Sequence, residues 1–476
     1  MAGSSGESSP RDAAGLDLVF KAYDVRGLVP EQFDAALARR IGAAFVEVLG
    51  IRVTDGGPGA VVVGQDMRPS GDELVAAFAD GVCAQGCDVI RIGLASTDGL
   101  YFASGDLGLP GAMFTASHNP AEYNGIKLCR AGAAPVGSET GLRAMRDLVE
   151  GGIPPYDGPA GSVTRRDTMP AYASFLRSLV DLSAGRDLSV VIDAGNGMAG
   201  LTAPAVLGTE AGLPALPLSV TPLYFELDGT FPNHEANPIE PANLRDLQRA
   251  VVAEGADIGL AFDGDADRCF VIDERGVAVT PSAITALIAE RELRRRPGST
   301  IIYNCISSRT VPEVISECGG VGERTRVGHS FIKARMAETG AVFGGEHSGH
   351  FYFTDFWRAD SGMLAAMHVL AALGSAPPGT TLSSLLARYD RYVASGEINS
   401  VVDDAAAATE RVRTAYAGQD EVTFDDLDGM TASAPDWWFN LRPSNTEPLL
   451  RLNVEAVDAG TMESVRDEVL AIVREP

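Results

Sequence analysis

Residues 60–71 read "AVVVGQDMRPSG": a β-branched run ending in a polar, glycine-bearing loop, with a helix expected behind it over 70–85. The pattern recurs as "SVVIDAGNGMAG" at 189–200, before a helix expected over 198–212, and as "STIIYNCISSRT" at 299–310, before one expected over 310–319. Continuous apolar runs of this length read as buried central strands, and their alternation with helices reads as βα units. The spacing of a little over 100 residues predicts three α/β domains of related design.

Breaker-rich joints separate them. "GGIPPYDGPAGS" at 151–162 is the clearest, and "GSAPPGTT" at 374–381 follows the apolar helix "GMLAAMHVLAALG". Beyond about residue 390 the pattern changes: the strands "DWWFNLRPSN" and "LLRLNVEA" precede a terminal helix, "TMESVRDEVLAIVRE", as in a smaller α+β domain. The expected organisation is a disordered tail over 1–15, α/β domains over 16–158, 159–275 and 276–385, and an α+β domain over 386–476.

Composition narrows the function. A chain of 476 residues is too long for one core. A net charge of −26 argues against nucleic acid and anionic membrane surfaces, which need a basic footprint. An anionic small molecule then needs a local cationic pocket. No apolar run is long enough to span a membrane, and the polar start "MAGSSGESSPRDAAG" does not resemble a secretion signal. Six scattered cysteines without a CxxC pair read as free thiols of a reducing, cytoplasmic compartment.

Of 38 basic residues only three, Lys21, Lys127 and Lys333, are lysines. Where a cation merely has to be present, such a chain uses arginine. Lysine can give or take a proton and arginine effectively cannot, so the surviving lysines are candidates for a special role. Lys127 closes "TASHNPAEYNGIK", 115–127, ten residues after Ser117.

Four further stretches carry chemistry. In "AFDGDADRCF", 261–270, Asp263, Asp265 and Asp267 alternate along an expected strand-to-loop stretch, which places their side chains on one side. Three close carboxylates call for a hard cation, Mg²⁺ or Ca²⁺, and Arg268 adds a phosphate-binding fork; the alternative is a solvated acidic turn. In "GGEHSGHFYF", 344–353, Glu346, His347, Ser348 and His350 lie in a glycine-flanked loop suited to sugar hydroxyls. A zinc site is the rival, without the usual ligand set. In "LRPSNTEPLLR", 441–451, Arg442, Ser444, Asn445 and Thr446 gather anion donors in one turn, the alternative being an ordinary ST/Asx turn. "FKAYDVRG", 20–27, adds Tyr23 and Arg26, while "TRVGHSFIK", 325–333, adds Gly328, His329 and Lys333 in a loop before a helix. His234 and His368 read as structural.

"TASHNP", "DGDADR", "GEHSGH" and "RPSNTEP", in this order from about residue 18 to the C-terminus, resemble the α-D-phosphohexomutase superfamily and within it the phosphomannomutase/phosphoglucomutase family. "GTFPNHEANP" at 229–238 also resembles a family stretch. The resemblance implies four domains around a central cleft, the three α/β ones with mixed sheets. It implies that Ser117 carries a phosphoryl group and shares Mg²⁺ with Asp263, Asp265 and Asp267. By the same resemblance Arg268 belongs to the catalytic set, and Lys127 and His329 match positions of proton transfer or phosphate contact. Tyr23, Arg26, Gly328, Glu346, Ser348 and His350 would meet the sugar phosphate, and Arg442, Ser444, Asn445 and Thr446 its distal phosphate. In one departure, Ile306 stands where some bifunctional members carry a lysine, with Arg309 as a possible substitute.

The expected function is interconversion of hexose 6-phosphate and hexose 1-phosphate, mannose first, with a phosphoserine enzyme and a hexose 1,6-bisphosphate that also serves as activator. A phosphoglucomutase or dual-specificity enzyme is the near alternative. A Mg²⁺-dependent sugar phosphatase or a non-catalytic sugar-phosphate binding protein is the distant one. A phosphatase of the haloacid dehalogenase class would place its DxD in an early strand and leave Ser117 unexplained.

Overall fold

The computed structural model describes residues 13–54, 57–443 and 449–475. The expected tail thus lies largely outside the described residues, and a short helix reaches back to Ala13 (Ala13–Asp17). The chain forms two compact units, one running to Val279 together with Gly349–Leu382, the other comprising Thr280–Ser348 and the chain from Ser383.

The first unit holds two mixed sheets. In one, the strand Ala60–Gln65 has parallel neighbours on both sides, Asp88–Leu94 and Gly111–Phe114, while Tyr123–Arg130 runs antiparallel beyond Gly111–Phe114 and pairs with Val25–Leu28. In the other, Leu188–Asp193 lies between parallel Leu218–Leu223 and Ile258–Phe262, and the chain then returns antiparallel through Cys269–Asp273. The apolar runs that nominated Ala60–Gln65 and Leu188–Asp193 are buried almost throughout, as flanking by other strands and covering helices requires.

Helices follow where expected at Gly71–Ala84 and Thr310–Glu317. The expected helix over 198–212 ends early, at Val206. Pro204 interrupts its hydrogen-bond ladder, and the Arg177 guanidinium accepts the role of terminator by donating to the carbonyls of Val206, Gly208 and Pro214. Helices Ala35–Leu49 and Gly71–Ala84 approach at Gly42 and Gly81: a Cβ there would lie 2.2 Å from the Phe78 carbonyl oxygen and 1.9 Å from that of Arg39.

In the second unit the third repeat strand, Thr300–Asn304, again has parallel neighbours on both sides, Val321–Thr325 and Phe343–Gly345. The C-terminal part is a fully antiparallel five-stranded sheet with Leu449–Ala456 between Val393–Val401 and Trp437–Pro443, packed against helices Ala405–Tyr416 and Ala459–Val473. Three α/β repeats and an α+β end are therefore the observed architecture. Among the described residues no helix is long and apolar enough to cross a membrane.

Candidate active site

Ser117 follows the strand Gly111–Phe114 in a tight turn and adopts φ 51°, a left-handed conformation costly for a residue with a Cβ. Its amide donates to Thr115 Oγ1 (2.8 Å). Its hydroxyl donates to Asp263 Oδ2 (2.7 Å) and lies 3.1 Å from His118 Nδ1. Burial holds His118 well below the ordinary imidazole range, with Arg268 and Arg26 adding to the effect, so its ring is neutral near pH 7.

The three aspartates converge, but not by strand alternation. Ile258–Phe262 ends just before Asp263, and the carboxylates sit in a tight turn with Ala266 at φ 59°. The turn brings one oxygen of each aspartate within 4.8 Å of the others. Gly264 is required for the approach to the serine loop, since a Cβ there would lie 2.4 Å from the Ser117 carbonyl oxygen. Burial, then the Asp267 and Asp265 charges, pushes Asp263 well above the usual carboxylate range. Burial would raise Asp265 too, but Lys127 outweighs it and holds that carboxyl low. Asp265 Oδ1 and Asp267 Oδ1 are buried and lack a hydrogen-bond partner. Hard, buried, unpartnered oxygens converging on one point suit a divalent cation, so these residues could hold a metal.

Lys127, on the strand Tyr123–Arg130, points into the same cluster: Nζ lies 2.7 Å from Asp265 Oδ2 and 2.5 Å from Asp267 Oδ2. Burial would strip its proton, but the two carboxylates outweigh that and raise its pKa above the usual lysine value. The Arg268 side chain lies 3.5 Å from Asp263 and its Nε donates to His350 Nε2 (3.2 Å). His350 also stands 3.6 Å from Asp267 Oδ1. The sequence grouped His350 with the sugar loop; the structure places it against the acidic turn. Arg26 donates to Asn119 Oδ1 (2.6 Å) in the serine loop, and Tyr23 is half-buried on the stretch before it.

Two supports escaped sequence reading. Thr97, at the start of the helix Thr97–Leu107, donates its amide to the Asp265 carbonyl (2.9 Å) and its hydroxyl to Asp265 Oδ2 (2.5 Å). Arg68 lies fully buried beneath the serine loop. Nothing in the local spacing announces Thr97; Arg68 at least occupies the polar loop that ends the first repeat strand.

The second unit carries the other motifs. The expected loop over 325–333 is shorter than supposed: Gly328 precedes a helix, His329–Thr339, which already includes His329 and the buried Lys333, while the His329 side chain lies outside the described residues. Glu346 Oε2 accepts from the Gly328 amide (3.2 Å), tying these two motifs together, and Ser348 follows in the same turn. Arg442 reaches between Glu397 (3.5 Å) and Asp428 (3.6 Å), and Asp428 also accepts from the Val327 amide (3.0 Å). Ser444, Asn445 and Thr446 lie outside the described residues.

Arg309 does not replace the missing lysine. Its guanidinium donates to the carbonyls of Ala434, Pro435 and Trp437, and its amide to Glu455. Ile306 packs with Cys305 and Trp438 and lines a cavity of about 340 Å³ that His347 also borders. This loop therefore supplies shape rather than a cation.

Comparison with known proteins shows the family. Family models for phosphoglucomutase/phosphomannomutase domains match in order: α/β/α domain I over residues 17–150, domain II over 170–276, domain III over 280–392 and the C-terminal domain over 397–472. A Xanthomonas campestris pv. campestris protein named "Phosphohexose mutases" is 40% identical over 458 residues, covering 96% of this chain and 99% of its own. A Salmonella montevideo phosphomannomutase is 40% identical over 461 residues, covering 95% and 98%. The crystal structure of a phosphoglucomutase/phosphomannomutase family protein from Burkholderia thailandensis is 34% identical, with TM-score 0.84 over 96% of this chain and 97% of that one. The chain is an enzyme that moves a phosphoryl group within its substrate, a hexose-phosphate mutase. It belongs to the phosphoglucomutase/phosphomannomutase family.

Proposed function

We propose that this chain interconverts mannose 6-phosphate and mannose 1-phosphate through a phosphoryl group carried on Ser117. The single observation behind the residue assignment is the Ser117 hydroxyl, set 2.7 Å from Asp263 at the mouth of a cluster of three carboxylates. The names of relatives such as the Salmonella and Escherichia coli phosphomannomutases, at 40% and 39% identity, support mannose. A dual mannose and glucose specificity is the second reading, favoured by the broader name of the Xanthomonas relative.

In this reading a sugar hydroxyl attacks the phosphorus, the bond from phosphorus to Ser117 Oγ breaks, and a hexose 1,6-bisphosphate results. The intermediate turns around and returns its other phosphoryl group to Ser117. The same bisphosphate, added from outside, phosphorylates the resting serine and acts as activator. Asp263, Asp265 and Asp267 would hold Mg²⁺, which when bound would neutralise charge on the phosphoryl oxygens. The buried setting of Ser117 keeps bulk water from the carried group, which favours transfer over hydrolysis. Arg268 sits close enough to add a guanidinium to that charge, with His350 fixing its orientation. Tyr23, Arg26, Gly328, Glu346 and Ser348 contact the sugar phosphate, and Arg442, Ser444, Asn445 and Thr446 hold the non-reacting phosphate. We place the domain seams near 158, 275 and 385. Six free cysteines fit a cytoplasmic location.

Lys127 we assign to electrostatics: two carboxylates hold its proton in place, so the proton of the attacking hydroxyl goes to His329. Lys127→Arg should then lower kcat only several-fold and leave both limbs of the pH–rate profile, while His329→Gln should erase one limb. Loss of a limb in Lys127→Arg alone reverses the two roles.

Arg442→Ala removes a charge-assisted phosphate contact worth roughly 1.5–3 kcal/mol. KM for the hexose phosphate should rise about tenfold or more. An unchanged KM places the distal phosphate elsewhere. The reading as a whole is tested by assaying the purified enzyme, with Mg²⁺ and bisphosphate, on mannose 1-phosphate, glucose 1-phosphate and glucosamine 1-phosphate in parallel. Turnover of mannose 1-phosphate to the 6-phosphate is expected, and glucosamine 1-phosphate as sole substrate would overturn it.

A further inference from the structure

We infer that Arg68 is the positioning residue of the phosphoserine loop, holding Ser117 in its left-handed turn without itself touching substrate. The inference rests on the reading of Ser117 as phosphoryl carrier.

Arg68 lies in the polar loop behind the first repeat strand, and its side chain is wholly shielded from solvent. A buried guanidinium needs partners for every N–H. Nη2 donates to the carbonyls of Ser117 (2.8 Å) and Asn119 (2.7 Å), and Nη1 to those of Pro120 (2.7 Å) and Tyr123 (2.8 Å). Nε donates to Asp66 Oδ2 (3.3 Å), while the Arg68 amide fixes the other carboxylate oxygen at 3.0 Å. All five donors of the fork are thereby occupied. None remains for a phosphate, which separates Arg68 from the arginines expected to meet substrate.

The four carbonyls span the serine loop and Tyr123, the first residue of the strand Tyr123–Arg130, and converge on one planar group. The loop ahead of that strand leaves the Ser117 and Asn119 carbonyls without strand partners, the Pro120 carbonyl also accepts from the Tyr123 amide (3.1 Å), and the loop holds Ser117 at φ 51°. Arg68 satisfies those carbonyls and opposes relaxation of the turn. A lysine has three donors in a different geometry and cannot reproduce the fork.

The stretch 229–238, which none of the assigned roles uses, has a place here. The Phe231 ring lies 5.3 Å from the Arg68 guanidinium carbon, within cation–π range. Gly229 packs so closely that a Cβ would stand 2.7 Å from Arg68 Cα. The positioner is therefore also packed against this stretch.

The test uses the full-length enzyme in wild-type, Arg68→Lys, Arg68→Ala and Ser117→Ala forms. Arg68→Lys keeps charge and most of the volume, which protects folding. A displacement of the reacting oxygen by about 1 Å costs on the order of 100-fold in rate. Arg68→Lys should thus lower kcat about 100-fold, with KM within about twofold because the substrate contacts are untouched. Phosphorylation of Ser117 by hexose 1,6-bisphosphate, followed by intact mass, should slow by the same factor. In Arg68→Ala, millimolar guanidinium chloride should restore turnover and sodium chloride at equal ionic strength should not. A merely structural role would lower the thermal midpoint while leaving the turnover of folded enzyme intact, and guanidinium would not rescue it. If Arg68→Lys turns over within threefold of wild type, or its loss falls in KM, the positioning inference is overturned. Activity retained in Ser117→Ala overturns the carrier reading instead, so the two failures are told apart.

Discussion

Replacing Ser117 by alanine should lower kcat by about 10⁴-fold or more, the scale on which loss of a covalent nucleophile acts. The substitution removes one oxygen from a site whose other groups are held independently: Asp265 by Thr97 and Lys127, Arg268 by His350. The variant should therefore fold and bind hexose phosphate with little change in affinity. Intact-mass measurement should show a phosphorylated fraction in the wild type, 80 Da heavier by the mass of one added HPO₃ group, that bisphosphate increases and the variant lacks. Wild-type turnover in Ser117→Ala would remove Ser117 from the chemistry.

The second large effect concerns the acidic turn. Chelation should abolish activity and Mg²⁺ should restore it. Asp265→Asn is the most informative substitution, because Asp265 carries both an unpartnered buried oxygen and the contact to Lys127. Loss of an outer partner of a metal ligand typically costs 10–100-fold in affinity or activity. Loss of a ligand carboxylate should exceed that, read as a shift of the Mg²⁺ activation curve to higher concentration and a fall in kcat at saturation. Lys127 would keep Asp267 as partner, so the fold should survive. Full activity in excess chelator would show that the three carboxylates serve structure only.

Much of this was legible from local sequence because it is encoded locally. A buried central strand must be apolar along its whole length, so three such runs declared three repeats. Phosphoryl chemistry needs a hydroxyl, several carboxylates and arginines, and the chain presents them as compact motifs. The aspartates were correctly gathered for an incorrect reason. Period-two alternation belongs to extended chain, whereas these residues converge through a turn with Ala266 in the left-handed region. By sequence His350 groups with its neighbours Glu346 and Ser348, but its backbone bridges Arg268 and its ring meets the Arg268 side chain. Arg309 was read as a spare cation because sequence cannot show that a guanidinium is already occupied by carbonyls near residue 435.

By itself, then, the sequence determined the α/β repeats, the α+β end and the class of reaction, since hydrophobic period and motif composition are properties of contiguous chain. Only the tertiary structure decided which groups meet. Lys127 meets Asp265 across 138 positions, Thr97 meets it across 168, and Ser117 meets Asp263 across 146. It also decided the state of these groups. Charge–charge interaction and desolvation depend on distance and burial, not on separation along the chain, so no spacing rule could show that the rare lysine at 127 has its proton held by two carboxylates.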